Sequence, residues 1–249
     1  VLALQSCTDN LVYTGADIEV VLTGNTYKAA FTESSPVSTF NSGNQILLNA
    51  SGSLQIDNRI LTYMDNQWKA ENEFSWSDLT GKTNVTAVYP VYPDLDYVQE
   101  NLYKNNSLED ILYVKDEFPA GNSIHLQFKH LFSLLTLHLE GNLQTYFQKI
   151  EVTCPAVSSI IPKSAEIVLA DNGTHTTTIA QVSPSGNYSF IVPPVGNMVI
   201  AINMVTNGKK YTTQLETKSF TGNKEYTYHL KISEKTPGIM TAEDWIAFS

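Results

Sequence analysis

Hydrophobic positions recur at every second residue along most of the chain, and no long stretch carries the three-and-four spacing of an amphipathic helix. Such alternation predicts strands with one face on a core and the other in water. Asp17 to Gly24 reads as a first strand with Ile18, Val20 and Leu22 inward, paired with Thr26 to Phe31 through a Gly24-Asn25 turn. Gln45 to Asn49 and Leu54 to Met64 flank Ala50-Ser51-Gly52-Ser53 as a hairpin, and Thr83 to Tyr89 places Val85, Ala87 and Tyr89 on one face before Pro90 stops the ladder. Pro93 to Asn122 is polar and irregular, with a helical turn expected around Leu108 to Leu112. An excursion of that length carries function or covers a sheet edge.

Ile124 to Leu139 gives the strongest strand. Its inward parity begins on Ile124, Leu126 and Phe128 and ends on Leu135, Leu137 and Leu139, so a bulge or bend is required near Ser133-Leu134. After Gly141-Asn142 the strands shorten. Gln148 to Cys154, Glu166 to Ala170, Thr174 to Ala180, Asn187 to Val192, Met198 to Val205, Lys210 to Glu216 and Glu225 to Ile232 form a series of seven, the count of a small sandwich. Asp171-Asn172-Gly173 and Asn207-Gly208 supply positive-φ residues for two hairpin turns, and Pro193-Pro194 marks a strand end. The pattern predicts an all-β chain of two tandem antiparallel β-sandwich domains, residues 8–142 and 143–236. Residues 1–7 precede them and a tail, 237–249, follows.

Composition narrows the function. At 249 residues the chain buries a sizeable core, and with 16% of residues charged but many hydroxyl and amide side chains it has the profile of an extracytoplasmic β protein. A formal charge of −10 with a single arginine, Arg59, removes the basic footprint that nucleic-acid binding needs and disfavours docking on anionic lipid through basic residues. No apolar run reaches the length of a membrane span.

Catalytic and metal signatures are absent from the sequence. His125, His130, His138, His175 and His229 lack ligand spacing, and His130 falls on an inward position, as expected of a hydrogen-bonded core histidine at the end of a sheet. There is no GxSxG elbow, calcium loop or phosphate cradle. The pairs Glu71 with Glu73, Asp94 with Asp96 and Glu109 with Asp110 read as surface charge, although paired carboxylates for glycoside hydrolysis come from distant strands and spacing alone does not reject them. No cofactor is expected. Trp68, Trp76 and Trp245, with thirteen tyrosines, either fill the core or form a platform for stacking sugars.

The two ends carry the remaining signals. Leu4-Gln5-Ser6-Cys7 has the form of a cleaved export signal ending at a lipid-accepting cysteine, Cys7, with Val1-Leu2-Ala3-Leu4 as the tail of the apolar signal core. The plainer reading is a strand-forming segment with one free thiol. If Cys7 carries lipid, Cys154 has no disulfide partner and serves as a small buried side chain. At the other end Ile239, Met240, Trp245, Ile246 and Phe248 make an apolar tail. It either folds back on its own domain or supplies a donor or edge strand exchangeable with another molecule.

Five motifs in order complete the pattern: Leu4-Gln5-Ser6-Cys7; Phe74-Ser75-Trp76 before Thr86-Ala87-Val88-Tyr89-Pro90; Phe128-Lys129-His130-Leu131-Phe132-Ser133-Leu134-Leu135; Val192-Pro193-Pro194-Val195; and Phe220-Thr221-Gly222-Asn223-Lys224-Glu225-Tyr226-Thr227-Tyr228. With them the chain resembles the fimbrillin-like family, lipoprotein-derived subunits of type V pili in Gram-negative bacteria. The resemblance implies transthyretin-like sandwiches and palmitate-type lipidation at Cys7, holding the protein at the outer-membrane surface or in a fimbrium. It implies a non-enzymatic role in adhesion, with other fimbrial subunits or further copies of the chain as partners and a host or bacterial surface ligand. In that family a protease removes the first strand and a strand from another subunit fills the groove, which is β-augmentation. Stalk subunits are cut after an arginine, whereas Arg59 lies within a predicted strand. Either another protease cuts, for example at Lys28, or the first strand is kept and the chain is an anchor, tip or accessory subunit. A surface lipoprotein binding glycans through exposed aromatics is the alternative.

Overall fold

The structure, a computed structural model, describes residues 18–22, 40–65, 67–71, 81–119, 124–141, 147–183, 185–206, 209–236 and 239–248. In chain order the strands are β1 (Ile18–Leu22), β2 (Gln45–Gly52), β3 (Ile56–Met64), β4 (Gln67–Ala70) and β5 (Thr83–Tyr89). An excursion follows with a helical turn, α1 (Gln99–Leu102), and two short strands, β6 (Tyr103–Lys104) and β7 (Ser107–Leu108). Then come β8 (Leu112–Phe118), β9 (Ile124–His130), β10 (Ser133–Gly141), β11 (Phe147–Ile161), β12 (Glu166–Val182), β13 (Gly186–Val192) and β14 (Gly196–Thr206). The last three are β15 (Lys209–Ser219), β16 (Glu225–Thr236) and β17 (Ile239–Phe248). The fold is all-β, two tandem sandwich units, as the alternation predicts.

The first unit is built on one seven-stranded sheet in the order β1-β9-β8-β5-β2-β3-β4. Its inward residues, among them Ile46, Leu48, Leu61, Val85, Ala87, Val114, Leu126 and Phe128, form one core. Phe40 meets Trp68 of β4 edge-on at 5.0 Å and Phe128 of β9 at 5.7 Å between ring centroids, so the sheet curls until strands distant in its order share one aromatic cluster. The second unit packs a sheet in the order β13-β10-β16-β17 against another in the order β12-β11-β14-β15. Leu135, Leu137, Phe190 and Val192 from one sheet face Ile150, Val152, Cys154 and Ile202 from the other.

Four local readings change. Ile124 to Leu139 is two strands in different sheets: β9 ends at His130 in the first sheet, Leu131-Phe132 cross, and β10 pairs with β13 and β16 in the second unit. The parity switch marked this crossing, but a single residue could not distinguish a bulge from a change of sheet. Strand pairing passes from the first sheet to the sandwich sheets at Leu131-Phe132. Glu166 to Val182 is one continuous strand rather than a hairpin at Asp171-Gly173; Asn172 has φ 54°, and the β11–β12 ladder slips register at Pro155–Ser159 opposite it. Two pairings, β1 with β9 and β10 with β16, are parallel, where an antiparallel fold was expected. The helical turn sits at Gln99–Leu102, whereas Ser107–Leu108 is a short strand.

The partner of β1 is β9; residues 26–31, expected to pair with it, lie outside the described residues. Thr206 pairs with Lys209 across Asn207-Gly208, so the flanking strands form the expected hairpin around a turn that is itself outside them.

The excursion joins the two units. Tyr92, Tyr97, Leu102, Leu108 and Ile111 are buried between the second face of the first sheet, through Leu47 and Val88, and Leu131, Phe132, Leu134, Val157, Ile160 and Ile191 of the crossing and the sandwich. Its polar atoms are satisfied locally. The Tyr97 hydroxyl donates to the Pro90 carbonyl at 2.7 Å, and the Tyr103 hydroxyl accepts from the Val157 N–H at 2.9 Å. A polar-looking segment thus forms the seam.

Candidate functional site

Cys7 lies outside the described residues, as do Trp76 and Lys28. The tail bearing Ile239, Met240, Trp245, Ile246 and Phe248 is strand β17, antiparallel to β16, with Thr227 opposite Phe248 and Thr236 opposite Ile239. It is the outermost strand of its sheet, with no strand paired on its other side among the described residues. Its ten residues carry a row of backbone donors and acceptors that pair with no further strand among the described residues. The β1 strand forms a second edge, beside β9.

Arg59 sits in β3 opposite Leu48 of β2, half-buried. Its peptide bonds are therefore part of a sheet and not of a loop.

Trp68 is 1% exposed, packed against Phe40 and Tyr63, and its indole N–H has no hydrogen-bond partner among the described residues. The glycan platform loses this member because β4 turns the ring into the core.

His130 Nδ1 lies 2.8 Å from the Asp110 carboxylate, and both side chains are buried. This is the hydrogen-bonded core histidine that its parity predicts, with a partner the sequence did not reveal because Asp110 belongs to the excursion. The neighbouring Glu109 accepts from Lys104 Nζ at 2.6 Å and from the Tyr92 hydroxyl, so the acidic pair divides between two separate structural contacts. Asp94 and Asp96 are exposed. Cys154 is buried, and that burial pushes its thiol up to about 12 from an ordinary 9.0. Among the described residues no group of three histidine, cysteine or acidic side chains could hold a metal ion, and no helix is long and apolar enough to cross a membrane.

Two of the motifs meet at the crossing. The Asn223 side-chain oxygen accepts from the His130 N–H at 3.1 Å, the Asn223 N–H donates to the Phe132 carbonyl at 3.0 Å, and Ser133 Oγ donates to the Thr221 carbonyl at 2.9 Å. Gly222 is needed here, since a Cβ would stand 2.5 Å from the Leu131 carbonyl oxygen. The second motif therefore clamps the first where the chain changes sheets.

A family model described as fimbrillin-like matches residues 35–245. No curated protein matches the chain. Among solved structures, a candidate cell adhesion protein from Bacteroides ovatus is similar over 95% of this chain and 98% of its own, at 14% identity and a TM-score of 0.57. One from Bacteroides uniformis covers 84% of this chain and 93% of its own, at 13% identity and 0.57. A candidate adhesin from Bacteroides thetaiotaomicron covers 93% and 96%, at 11% identity and 0.52. At these identities the structural likeness establishes the fold.

Proposed function

The chain belongs to the fimbrillin-like family of fimbrial, adhesion-related subunits, and on that premise we propose that it is a non-enzymatic anchor, tip or accessory subunit at the outer-membrane surface, lipidated at Cys7 and assembled by strand donation. The observation that carries this reading is the terminal strand β17, which occupies the edge of its own sheet while its outer side is unpaired among the described residues. Such a strand can leave its position and pair with the equivalent edge of another subunit, exchanging one set of backbone hydrogen bonds for another. The first strand, β1, supports retention rather than removal: it is paired with β9, and the only arginine is held in β3.

Locking β17 to β16 with a disulfide at the facing pair Lys231 and Glu243 tests the donation. The oxidised Lys231→Cys, Glu243→Cys protein is expected to remain a folded monomer that fails to join partner subunits, with joining restored by reductant. Joining that is unaffected by the lock overturns the tail as donor. For the anchor, Cys7→Ala is expected to abolish palmitate labelling and release the protein from the membrane fraction. A parent protein that takes up no palmitate overturns lipidation.

A further inference from the structure

The sandwich unit has four outermost strands, β13 and β17 in one sheet and β12 and β15 in the other. Natural sheets blunt such edges with charge, proline or brevity, because an unblunted one invites another strand. Three of the four follow that rule. β15 carries Lys209, Lys210, Glu216 and Lys218, β17 carries Glu243 and Asp244, and β13 is shorter, at seven residues. β12 does not. It is 17 residues long, and from Asn172 to Val182 it holds no acidic side chain, no lysine or arginine and no proline.

That stretch is also regular. β11 and β12 keep one register from Phe147 opposite Val182 to Pro155 opposite Thr174, and the ladder slips only beyond it. Thr174, Thr176, Thr178 and Ala180 are exposed on the outer face, while His175, Thr177 and Ile179 are half-buried on the inner one, where Ile179 reaches the sandwich core. Two of these side chains are held in place. Thr176 Oγ1 lies 2.7 Å from Thr153 Oγ1, and His175 packs on Tyr103 at 4.0 Å between ring centroids with its Nε2 2.8 Å from the Asn106 carbonyl oxygen. No strand pairs with the other side of β12 among the described residues. Every second residue of an outer strand turns its N–H and C=O away from the sheet, so this stretch is a neutral template rich in β-branched side chains.

Neutrality selects the partner. The chain has 25 acidic against 15 basic residues and a formal charge of −10, so two copies repel where charged surfaces meet and approach most easily at an uncharged one. We infer that the β12 edge joins two copies of this chain, antiparallel, into one continuous sheet about a two-fold axis at Thr177. The register is self-complementary: Thr176 faces the partner's Thr178, Thr174 faces the partner's Ala180, and the exposed residues of both copies stay on one face. The antiparallel sense also suits the layout of the chain. Ile167 and Leu169, near one end of β12, pack into the seam and Val182, at the other, into the sandwich core, so the two first units lie at opposite ends of the joined strands. A ribbon of residues 174–180 is smaller than the interface of a stable complex, and the dimer is accordingly weak, half-formed on the order of 100 µM. The inference is independent of strand donation by β17 and of lipid attachment.

The test is sedimentation velocity of the full chain from about 5 to about 500 µM, a range that brackets this affinity, with Cys7→Ala in every sample so that no intermolecular disulfide forms at that thiol. The mean mass is expected to rise toward that of two chains, more readily in high salt than in low because screening weakens the net repulsion. Thr176→Lys with Thr178→Lys sets lysine opposite lysine and is expected to weaken association by about tenfold. Thr176→Glu with Thr178→Glu is expected to do the same, and an equal mixture of the two variants to associate again as unlike pairs, a rescue that a merely structural defect does not show. Should either variant not fold, hydrogen exchange of the parent decides, since amides within residues 174–180 must gain protection as concentration rises. A parent that stays monomeric throughout overturns the inference. So do association that the lysine pair leaves unchanged, a mixture that stays monomeric, amides that gain no protection, and association abolished instead by the oxidised Lys231→Cys, Glu243→Cys lock, which puts the contact at β17.

Discussion

Burial of ionisable side chains makes the fold sensitive to alkali. Burial holds the Cys154 thiol and the Tyr103 phenol up at about 12, from ordinary values of 9.0 and 10.0, and raises Tyr97 further. Tyr92 is raised by burial first and then by its hydrogen bond to Glu109. All four are neutral when folded and lose protons more readily when unfolded. Their contribution to stability is therefore complete below pH 9 and falls as pH rises toward the folded-state values. Cys154 and Tyr97 should each remove up to about 1.4 kcal/mol per pH unit across that window. Urea unfolding at pH 8, 9.5 and 11 should show the midpoint falling above pH 9, and a flat profile would contradict the burial. The same burial predicts that iodoacetamide alkylates Cys154 only after denaturation. At this scale the sequence was informative where a residue's neighbours are its own strand: Cys154 and His130 both read as inward. It was silent on Asp110, whose role depends on a strand twenty residues away.

Strands were legible where alternation is local and turn chemistry is unambiguous. Thr83 to Tyr89 is β5 to the residue, and the hairpin between β2 and β3 turns where Gly52 takes φ 120°. Asp171-Asn172-Gly173 misled because the same positive-φ residues that close a hairpin also build a bulge, and only the facing strand decides between them. The excursion misled because its five buried apolar side chains are scattered among polar residues without a period. Arg59 yields an element-scale prediction. A protease must draw several residues of extended chain into its cleft, and β3 is committed to β2 there. An arginine-specific protease should leave the folded protein intact and cut it once in urea. Rapid cleavage of the native protein at Arg59 would show that β3 opens locally.

The two sandwich units share a core, so the molecule should behave as one body. Phe132 lies at the crossing, 1% exposed, among side chains from the first sheet, the excursion and the sandwich. Phe132→Ala should cost about 3–5 kcal/mol. Near-ultraviolet circular dichroism and calorimetry should report one transition, lowered as a whole, because neither unit keeps its buried face when the seam opens. Two separated transitions would mean that the seam is a contact between independent units.

The parallel pairing of β10 with β16 has a consequence for how the chain is made. Leu134 must wait for Glu225, its partner, and the intervening strands cannot complete the sheet without it. At ribosomal speeds that delay is on the order of ten seconds. Throughout it Leu135 and Leu137 lack the neighbouring strand on one side, so the emerging polypeptide calls for a holding chaperone until β16 has been synthesised.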